Sequence, residues 1–225
     1  MSTEKYHIRV LWTAMVALSA TATGLADDSY GDDPVLKFYW TQAATVSAES
    51  DPLRNGVSFS LLTTSHYKRV ASNGRITGVD TAIVRYWFSC GSLDSQVVEM
   101  ATSDVKMQQQ FSIPDLFDAQ YRYTFYPNDT GGELLAIGFD TPKADDSLPV
   151  GLVMIDRDSY LLRRVYLYYP HREGYERFSR CYRVSEHDGF LFPDSIWEVG
   201  AREGVFSTEN YRLETRIDAV SVDRP

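Results

Sequence analysis

Several features that often indicate a function are scarce in this chain of 225 residues. It has only two cysteines and four histidines, too few for a four-thiolate zinc site or a disulfide-dense scaffold. Lys and Arg number 22 against 31 Asp and Glu, and the net charge of -9 argues against the basic surface that a nucleic-acid-binding protein needs to neutralise phosphates. The composition predicts no metal, no cofactor and no nucleic-acid partner.

Catalytic sequence motifs are also missing. The chain has no H-E-x-x-H, G-x-S-x-G, G-x-x-x-x-G-K or G-x-G-x-x-G segment. Asp156–Ser159 resembles the start of a calcium loop, but Tyr160 and Leu161 occupy the positions of a further oxygen ligand and a glycine, so we expect a hairpin turn. Outside the N-terminal segment the histidines are His66, His171 and His187, which we interpret as surface residues. We expect a non-enzyme, with a hydrolase assembled from distant strands as an open alternative.

The clearest single pattern lies at the N-terminus. Lys5 and Arg9 precede an apolar segment, Val10–Ala20, and small residues follow it as signal peptidase requires. The segment is shorter than the roughly 20 apolar residues of a membrane span. We therefore predict a cleaved signal peptide, with Ala26 or Ala22 as the last residue removed, and a periplasmic or secreted product that does not span the membrane. No cysteine lies near the cleavage site, which excludes lipidation there.

This assignment divides the chain into three parts. Residues 1–26 form the signal peptide, residues 27–33 form an acidic leader that we expect to be disordered, and residues 34–225 form one domain. A domain of this size buries enough surface to fold without a metal or a disulfide.

Strand-like segments fill most of the predicted domain. They are rich in aromatic and β-branched residues and are separated by turn signals such as Asn73-Gly74. The predicted strands are Val57–Thr64, Tyr67–Val70, Ala82–Ser89, Gln96–Met100, Tyr121–Tyr126, Leu134–Phe139, Gly151–Ile155, Leu161–Tyr169, Tyr175–Glu186, Phe190–Val199 and Val205–Ala219. In the last strand, the apolar residues Tyr211, Leu213, Ile217 and Ala219 fall on the same side of the alternation. This predicts a strand with one buried and one solvated face.

Helical patterns are few. Pro34–Ser50, with Asp33 as the N-cap, predicts a helix, although Phe38 interrupts the apolar spacing and a first strand is the alternative. Ser112–Ala119 predicts a short helix or an irregular crossing. The predicted fold class is therefore mainly β, with a curved antiparallel sheet or incomplete β-barrel of about ten or eleven strands and one or two short helices.

Aromatic side chains in the strands are the candidate ligand-binding residues. If the sheet curls, its inward rings either line a cavity for an apolar ligand or fill the core. The predicted lining residues are Trp87, Tyr123, Phe125, Tyr166, Tyr168 and Trp197. Cys90 and Cys181 form a disulfide in an oxidising compartment or remain two separate thiols.

One stretch of the chain resembles a known family. From Leu152 to Val199, a strand ending in Ile155-Asp156 is followed by a turn and two further strands, then by His187-Asp188-Gly189 and Phe192-Pro193. This order is similar to the C-terminal half of the LolA/LolB-like superfamily, periplasmic carriers of lipoproteins with an incomplete barrel closed by helices. The resemblance implies a non-catalytic protein that binds a lipid or a lipoprotein acyl chain in its concave face. The alternative is an envelope protein that has a solid core and binds another protein.

Overall fold

The chain folds into one open sheet with a helix packed on one of its faces. The computed structural model describes residues 33–102, 111–114, 116–117, 121–126, 132–141, 148–204 and 207–223. The predicted signal peptide, nearly all of the acidic leader and most of the turn predicted at 127–132 lie outside these residues. Within them, no helix is long and apolar enough to cross a membrane.

Helix α1 spans Pro34–Ser50, as the sequence predicts. It begins where Asp33 accepts hydrogen bonds from two backbone N–H groups of the first turn, at 2.9 and 3.2 Å, which satisfies donors that a helix start leaves unpaired. It ends where the Asn55 side-chain amide donates to backbone carbonyls of its last turn. Leu36, Trp40 and Ala43 are buried, whereas Phe38 points outward and is 51% exposed.

In the described part of the chain, ten strands follow the helix. They are Phe59–Val70 (β1), Ile76–Ser89 (β2), Ser92–Ala101 (β3), Arg122–Tyr126 (β4), Leu134–Asp140 (β5), Val150–Asp156 (β6), Leu162–Tyr169 (β7), Tyr175–His187 (β8), Phe190–Glu203 (β9) and Thr208–Val222 (β10). Every neighbouring pair is antiparallel, and the order across the sheet is β3-β2-β1-β10-β9-β8-β7-β6-β5-β4. The two edges, β3 and β4, are not paired with each other, so the sheet is open. The predicted mainly-β class is confirmed.

Strand β1 corrects one prediction. The two short strands expected at Val57–Thr64 and Tyr67–Val70 are one continuous strand, Phe59–Val70. The polar residues between them are not a loop, because Thr63 and Ser65 are buried and bond within the sheet. The Thr63 hydroxyl donates to the Val84 carbonyl at 3.2 Å, and the Ser65 and Thr215 hydroxyls are 2.9 Å apart.

Strand β10 corrects a second prediction. Tyr211, Leu213 and Ile217 lie on the buried side as expected, but Ala219 is exposed. Asp218 is an extra residue in the pairing with β1, and such a bulge reverses the side-chain alternation beyond it. Val220 and Val222 therefore replace Ala219 in the contact with the core.

The two faces of the sheet differ in character. We call the face that packs against α1 the core face and the opposite one the outer face. The core face carries the largest fully buried side chains of the sheet, among them Tyr182, Phe139, Phe192, Leu61 and Ile196. Antiparallel sheets commonly bury one face in this way.

A segment between β3 and β4 crosses the core face. Its described residues, 111–114 and 116–117, have no regular secondary structure, which favours the irregular crossing over the predicted short helix. Phe111 and Leu116 are buried in it. Two tyrosine hydroxyls from the sheet hold it, since Tyr182 donates to the Ser112 carbonyl at 3.3 Å and Tyr123 donates to the Leu116 carbonyl at 3.0 Å.

The predicted turns form where glycine or a short polar side chain allows a positive φ. Asp188 and Gly189, with φ of 53° and 86°, connect β8 to β9 in a two-residue hairpin, and Cys90 and Gly91 connect β2 to β3 in the same way. At the former calcium candidate, the Asp156 carboxylate accepts hydrogen bonds from two backbone N–H groups of the turn. The backbone N–H of Ser159 contributes most to lowering the pKa of that carboxyl, so Asp156 is a turn residue.

Candidate ligand-binding face

The six predicted lining residues divide between the two faces of the sheet. Tyr123 and Phe125 of β4 lie on the core face, in register with Phe139 and Ile137 of β5. They contribute to filling the core, because the Tyr123 ring packs 4.1 Å from the Trp40 ring of the helix and Phe125 packs against the same buried cluster.

The other four predicted residues lie on the outer face. Trp87 and Trp197 are 36% and 39% exposed, and Tyr166 and Tyr168 alternate with buried Leu167. The expectation that these four rings point inward is therefore wrong. In each strand, residues next to these rings in the sequence are apolar or ion-paired, and those residues occupy the buried positions instead.

Cys181 lies in the same outer-face row as Tyr166 and Trp197. Cys90 is in the hairpin between β2 and β3, four strand spacings of about 4.8 Å away across the sheet. Both cysteines are free thiols, so the disulfide considered from the sequence is not formed. Burial raises the pKa of the Cys181 thiol to about 12, whereas Cys90 is exposed.

The two thiols are expected to differ in reactivity. At pH 8, a chromogenic disulfide reagent should modify Cys90 rapidly and Cys181 only after unfolding, because the thiolate is the reactive form. Cys90→Ser should remove the fast phase and leave the slow one. Absence of any reaction before reduction would show that the two residues pair after all.

The histidines are dispersed over three places. His66 lies mid-strand on the outer face, with its Nδ1 2.9 Å from the Thr81 hydroxyl. His187 ends β8, with its Nε2 3.1 Å from the Ser185 hydroxyl, and His171 lies in the turn after β7. In the part of the chain that the structure describes, no group of His, Cys, Asp and Glu is arranged to hold a metal ion.

A second group of buried aromatic residues lies on the core face away from the helix. We call it the tyrosine cluster and define it as Tyr67, Tyr169, Tyr175, Phe178 and Tyr211. The Tyr67 and Tyr211 rings stack 5.1 Å apart, and Phe178 meets Tyr175 and Tyr169 edge-on at 5.2 and 5.4 Å. Such pairs add to the stability gained from burial alone. No residue of α1 belongs to this cluster.

Gly200 shapes the floor of the tyrosine cluster. It pairs with Tyr211 on β10, and the tyrosine ring lies directly against its backbone. A Cβ at this position would be 2.4 Å from Cε1 of Tyr211, so only glycine permits the ring to lie flat over β9. A strand glycine often marks such a close approach.

Two arginines lie against the rings of the tyrosine cluster. The guanidinium carbon of Arg172 is 3.8 Å from the centre of the Phe178 ring and 5.3 Å from that of Tyr175. The guanidinium carbon of Arg202 is 5.6 Å from both Tyr175 and Tyr211, and its Nη2 donates to the Tyr175 hydroxyl at 3.2 Å. Both guanidinium groups thus contact the Tyr175 ring, an arrangement typical of cation–π contacts.

A buried ion pair separates the tyrosine cluster from the helix-covered core. Arg180 Nη2 and Glu198 Oε1 are 2.6 Å apart, with side chains 3% and 7% exposed. Arg180 lies between Phe178 and Tyr182 along β8 and also donates to the Tyr182 hydroxyl at 3.2 Å. Burial by itself lowers the pKa of this guanidinium, but the neighbouring Glu198 and Tyr182 outweigh it and raise the pKa. The Arg180 guanidinium therefore stays charged inside the protein.

The phenols of Tyr67, Tyr169 and Tyr211 stay protonated at neutral pH. Burial, with the nearby Glu209 carboxylate, raises the pKa of Tyr67 to about 12, and burial also raises the pKa of Tyr211. Desolvation also raises the pKa of Tyr169. These rings therefore present apolar faces and hydroxyl donors, and the arginines supply the positive charge.

Sequence reasoning missed most of this region. The sequence pattern predicts Tyr211 on the buried side of its strand. It does not identify Tyr67, Phe178, Arg172 or Arg202 as residues of a site. The contacts join β1, the turn before β8 and the β9–β10 pair. Only the strand order brings these segments together. The one signal available in the sequence was that Tyr211 and Leu213 lie on the same, apolar side of the last strand.

The chain was compared with protein families, curated proteins and solved structures. No protein-family model and no curated protein matches the chain. Among solved structures, a domain named for outer membrane lipoprotein sorting from Vibrio parahaemolyticus is similar over 82% of this chain and 92% of its own, at 11% identity and a TM-score of 0.41. A DUF1329 family protein from Desulfovibrio piger is similar over 84% of this chain and 93% of its own, at 11% identity and a TM-score of 0.42.

A third similar structure is a LolA superfamily protein from Nitrosomonas europaea. It is similar over 81% of this chain and 94% of its own, at 8% identity and a TM-score of 0.36. Identity this low gives no residue-by-residue correspondence, so no ligand or partner of these proteins is assigned to this chain. Two of these printed names, the lipoprotein-sorting domain and the LolA superfamily protein, correspond to the family that the sequence resembles.

Proposed function

We propose that this chain is an exported, non-enzymatic binding protein that holds an apolar ligand, a lipid or an acyl chain, against the core face of its open sheet. The observation that carries the proposal is the tyrosine cluster: five aromatic residues on the core face, of which only Tyr169 also packs against the core that α1 covers. Tyr169 and Tyr175 at its margin are only partly buried. Pockets that bind small molecules combine apolar and aromatic walls with a few polar groups in this way.

The driving force would be the removal of methylene groups from water. Each buried methylene contributes about 0.8 kcal/mol, so eight of them would contribute roughly 6 kcal/mol before the cost of ordering the chain. This corresponds to a dissociation constant of roughly tens of micromolar at best, reached without breaking any bond. It also leaves the ligand releasable, as a carrier requires.

Native mass spectrometry of protein purified without detergent from its own cell envelope tests this function. We expect a bound lipid mass that disappears on denaturation. Tyr175→Ala, in the tyrosine cluster, should lower the bound fraction, whereas Tyr168→Ala, on the outer face, should leave it unchanged. Only the unliganded mass in the wild-type protein, with no uptake of added lipid, would contradict the proposal.

Export is part of the same proposal. The basic N-terminus, the apolar segment and the small residues up to Ala26 support it. The intact mass of protein recovered from the envelope should match a chain that starts at Asp27 or at Thr23. A chain that retains residues 1–26 would contradict this part of the proposal.

A protein-binding role is the second candidate, and strand β3 favours it. β3 forms one edge of the sheet, and all ten of its residues are exposed. Leu93 and Val98 on one face and Val97 and Met100 on the other are each at least 44% exposed. An unpaired edge of this kind accepts an added strand.

The charge of β3 defines the partner we would expect there. Its only charged residues are Asp94 and Glu99, so an extended segment that alternates apolar and basic residues would fit best. A Val-Lys repeat peptide should bind more tightly than a Val-Glu repeat in fluorescence anisotropy, and Val98→Lys should weaken its binding. Equal binding of the two peptides, or none, would remove this candidate.

A further inference from the structure

We infer that the ligand of the core face is an anionic amphiphile, a carboxylate or phosphate ester on an acyl chain, and that Arg172 and Arg202 bind its headgroup. This inference rests on the proposed function and names the chemical class of its ligand. It does not follow from the apolar character of the tyrosine cluster, which would suit a neutral lipid equally well. The positive charge at its margin makes the difference.

Arg172 and Arg202 lie among carboxylates that bond to other groups. On this face, the Glu198 carboxylate is paired with Arg180 and the Asp80 carboxylate with Arg69 at 2.7 Å. The Glu209 carboxylate, opposite Arg202 in the strand pairing, accepts a hydrogen bond from the neutral Tyr67 hydroxyl at 3.2 Å. Among the described residues, neither Arg172 nor Arg202 has a carboxylate within ion-pair distance. The two positive charges therefore lie close together, although the chain as a whole has a net charge of -9.

Contacts with the aromatic rings hold both guanidinium groups in place. A guanidinium stacked on a ring uses its flat face for the contact, while its N–H donors point outward in its own plane. Arg172 is held in this way on Phe178, and Arg202 is held by its hydrogen bond to Tyr175. Both groups are therefore positioned before a ligand arrives, which lowers the entropy lost on binding.

The two positive charges lie beside the Tyr175 ring. Both guanidinium carbons lie within 5.6 Å of the centre of the Tyr175 ring. A carboxylate or phosphate group accepts two parallel hydrogen bonds from the N–H groups of one arginine. A headgroup bound here would leave its acyl chain against the partly exposed rings of Tyr169 and Tyr175, so one molecule satisfies both parts of the site.

Calorimetric titration with twelve-carbon probes below their micelle concentrations tests this inference. The probes are dodecanoate, monododecanoylglycerol, dodecyltrimethylammonium and, as a headgroup alone, inorganic phosphate. We expect dodecanoate to bind about tenfold more tightly than the neutral probe, and the cationic probe to bind most weakly. Added salt should weaken the binding of dodecanoate more than that of the neutral probe.

Arginine substitutions assign the effect to the site. Arg172→Gln and Arg202→Gln should each weaken dodecanoate binding by about tenfold and leave the neutral probe unchanged. Arg212→Gln removes the same charge from the outer face and should change neither. Arg202→Lys should recover only part of the affinity, because lysine keeps the charge without the planar donors. Thermal melts check that each variant is folded.

The outcomes separate this inference from the function on which it rests. Equal binding of dodecanoate and the neutral probe, unaffected by the arginine variants, would overturn the anionic class while supporting an acyl ligand. No binding of any twelve-carbon probe would contradict both proposals. Binding of inorganic phosphate as tight as that of dodecanoate would overturn the amphiphile, since the chain would then contribute nothing.

Discussion

Replacing Glu198 with glutamine is expected to lower the free energy of unfolding by about 3 kcal/mol or more. The substitution keeps the shape of the side chain but leaves the Arg180 guanidinium, 3% exposed, without its negative partner. A buried charge without compensation is costly because the protein interior cannot replace its hydration. Chemical denaturation followed by circular dichroism measures the change.

Two further variants make this expectation specific to burial. Glu99→Gln breaks the Arg85–Glu99 pair at the sheet edge, where the side chains are 36% and 41% exposed, and should cost less than about 1 kcal/mol. The double variant Arg180→Met with Glu198→Leu removes both buried charges and should recover much of the stability lost in Glu198→Gln. A loss in Glu198→Gln no larger than that in Glu99→Gln would contradict the buried pair.

Trp40→Ala is expected to lower the free energy of unfolding by about 3–5 kcal/mol. Trp40 is 9% exposed and its ring packs 4.1 Å from Tyr123 and 4.7 Å from Phe117. Removing it leaves a cavity between α1 and the core face that the surrounding rings cannot fill. Thermal or chemical unfolding of the full chain provides the measurement.

Phe38→Ala is the matched control on the same helix. Phe38 is 51% exposed, so its removal should change the free energy of unfolding by no more than about 1 kcal/mol. If Trp40→Ala and Phe38→Ala had equal effects, α1 would not be packed on the core face through the side of the helix described here.

The sequence predicted the strands well because alternation and turn chemistry are local. The Asp188-Gly189 hairpin, the helix after Asp33 and the antiparallel order of consecutive strands follow from neighbouring residues. Two errors arose where partners distant in the chain decide the outcome. The buried hydroxyls of β1 bond to β2 and β10, and the bulge at Asp218 appears only in the pairing of β10 with β1.

The candidate site was less predictable for a related reason. Alternation tells which residues share a face but not which face is buried when both carry large side chains. Trp197 lies between Ile196 and Glu198, and the glutamate is the buried neighbour because Arg180 neutralises it. Trp87 lies between Tyr86 and Phe88, which take the core positions. Hydrophobicity alone places both tryptophans inside, and only the partner on another strand reverses this.

The most direct test of the account is to locate a bound acyl chain on the sheet. Irradiation of the full chain with a diazirine-bearing dodecanoate, followed by peptide mapping, would report the residues nearest the chain. The account predicts modification of the peptides that carry Tyr169, Tyr175 and Tyr211, reduced in Arg172→Gln. Modification confined to the outer face, around Trp87 and Trp197, would contradict it.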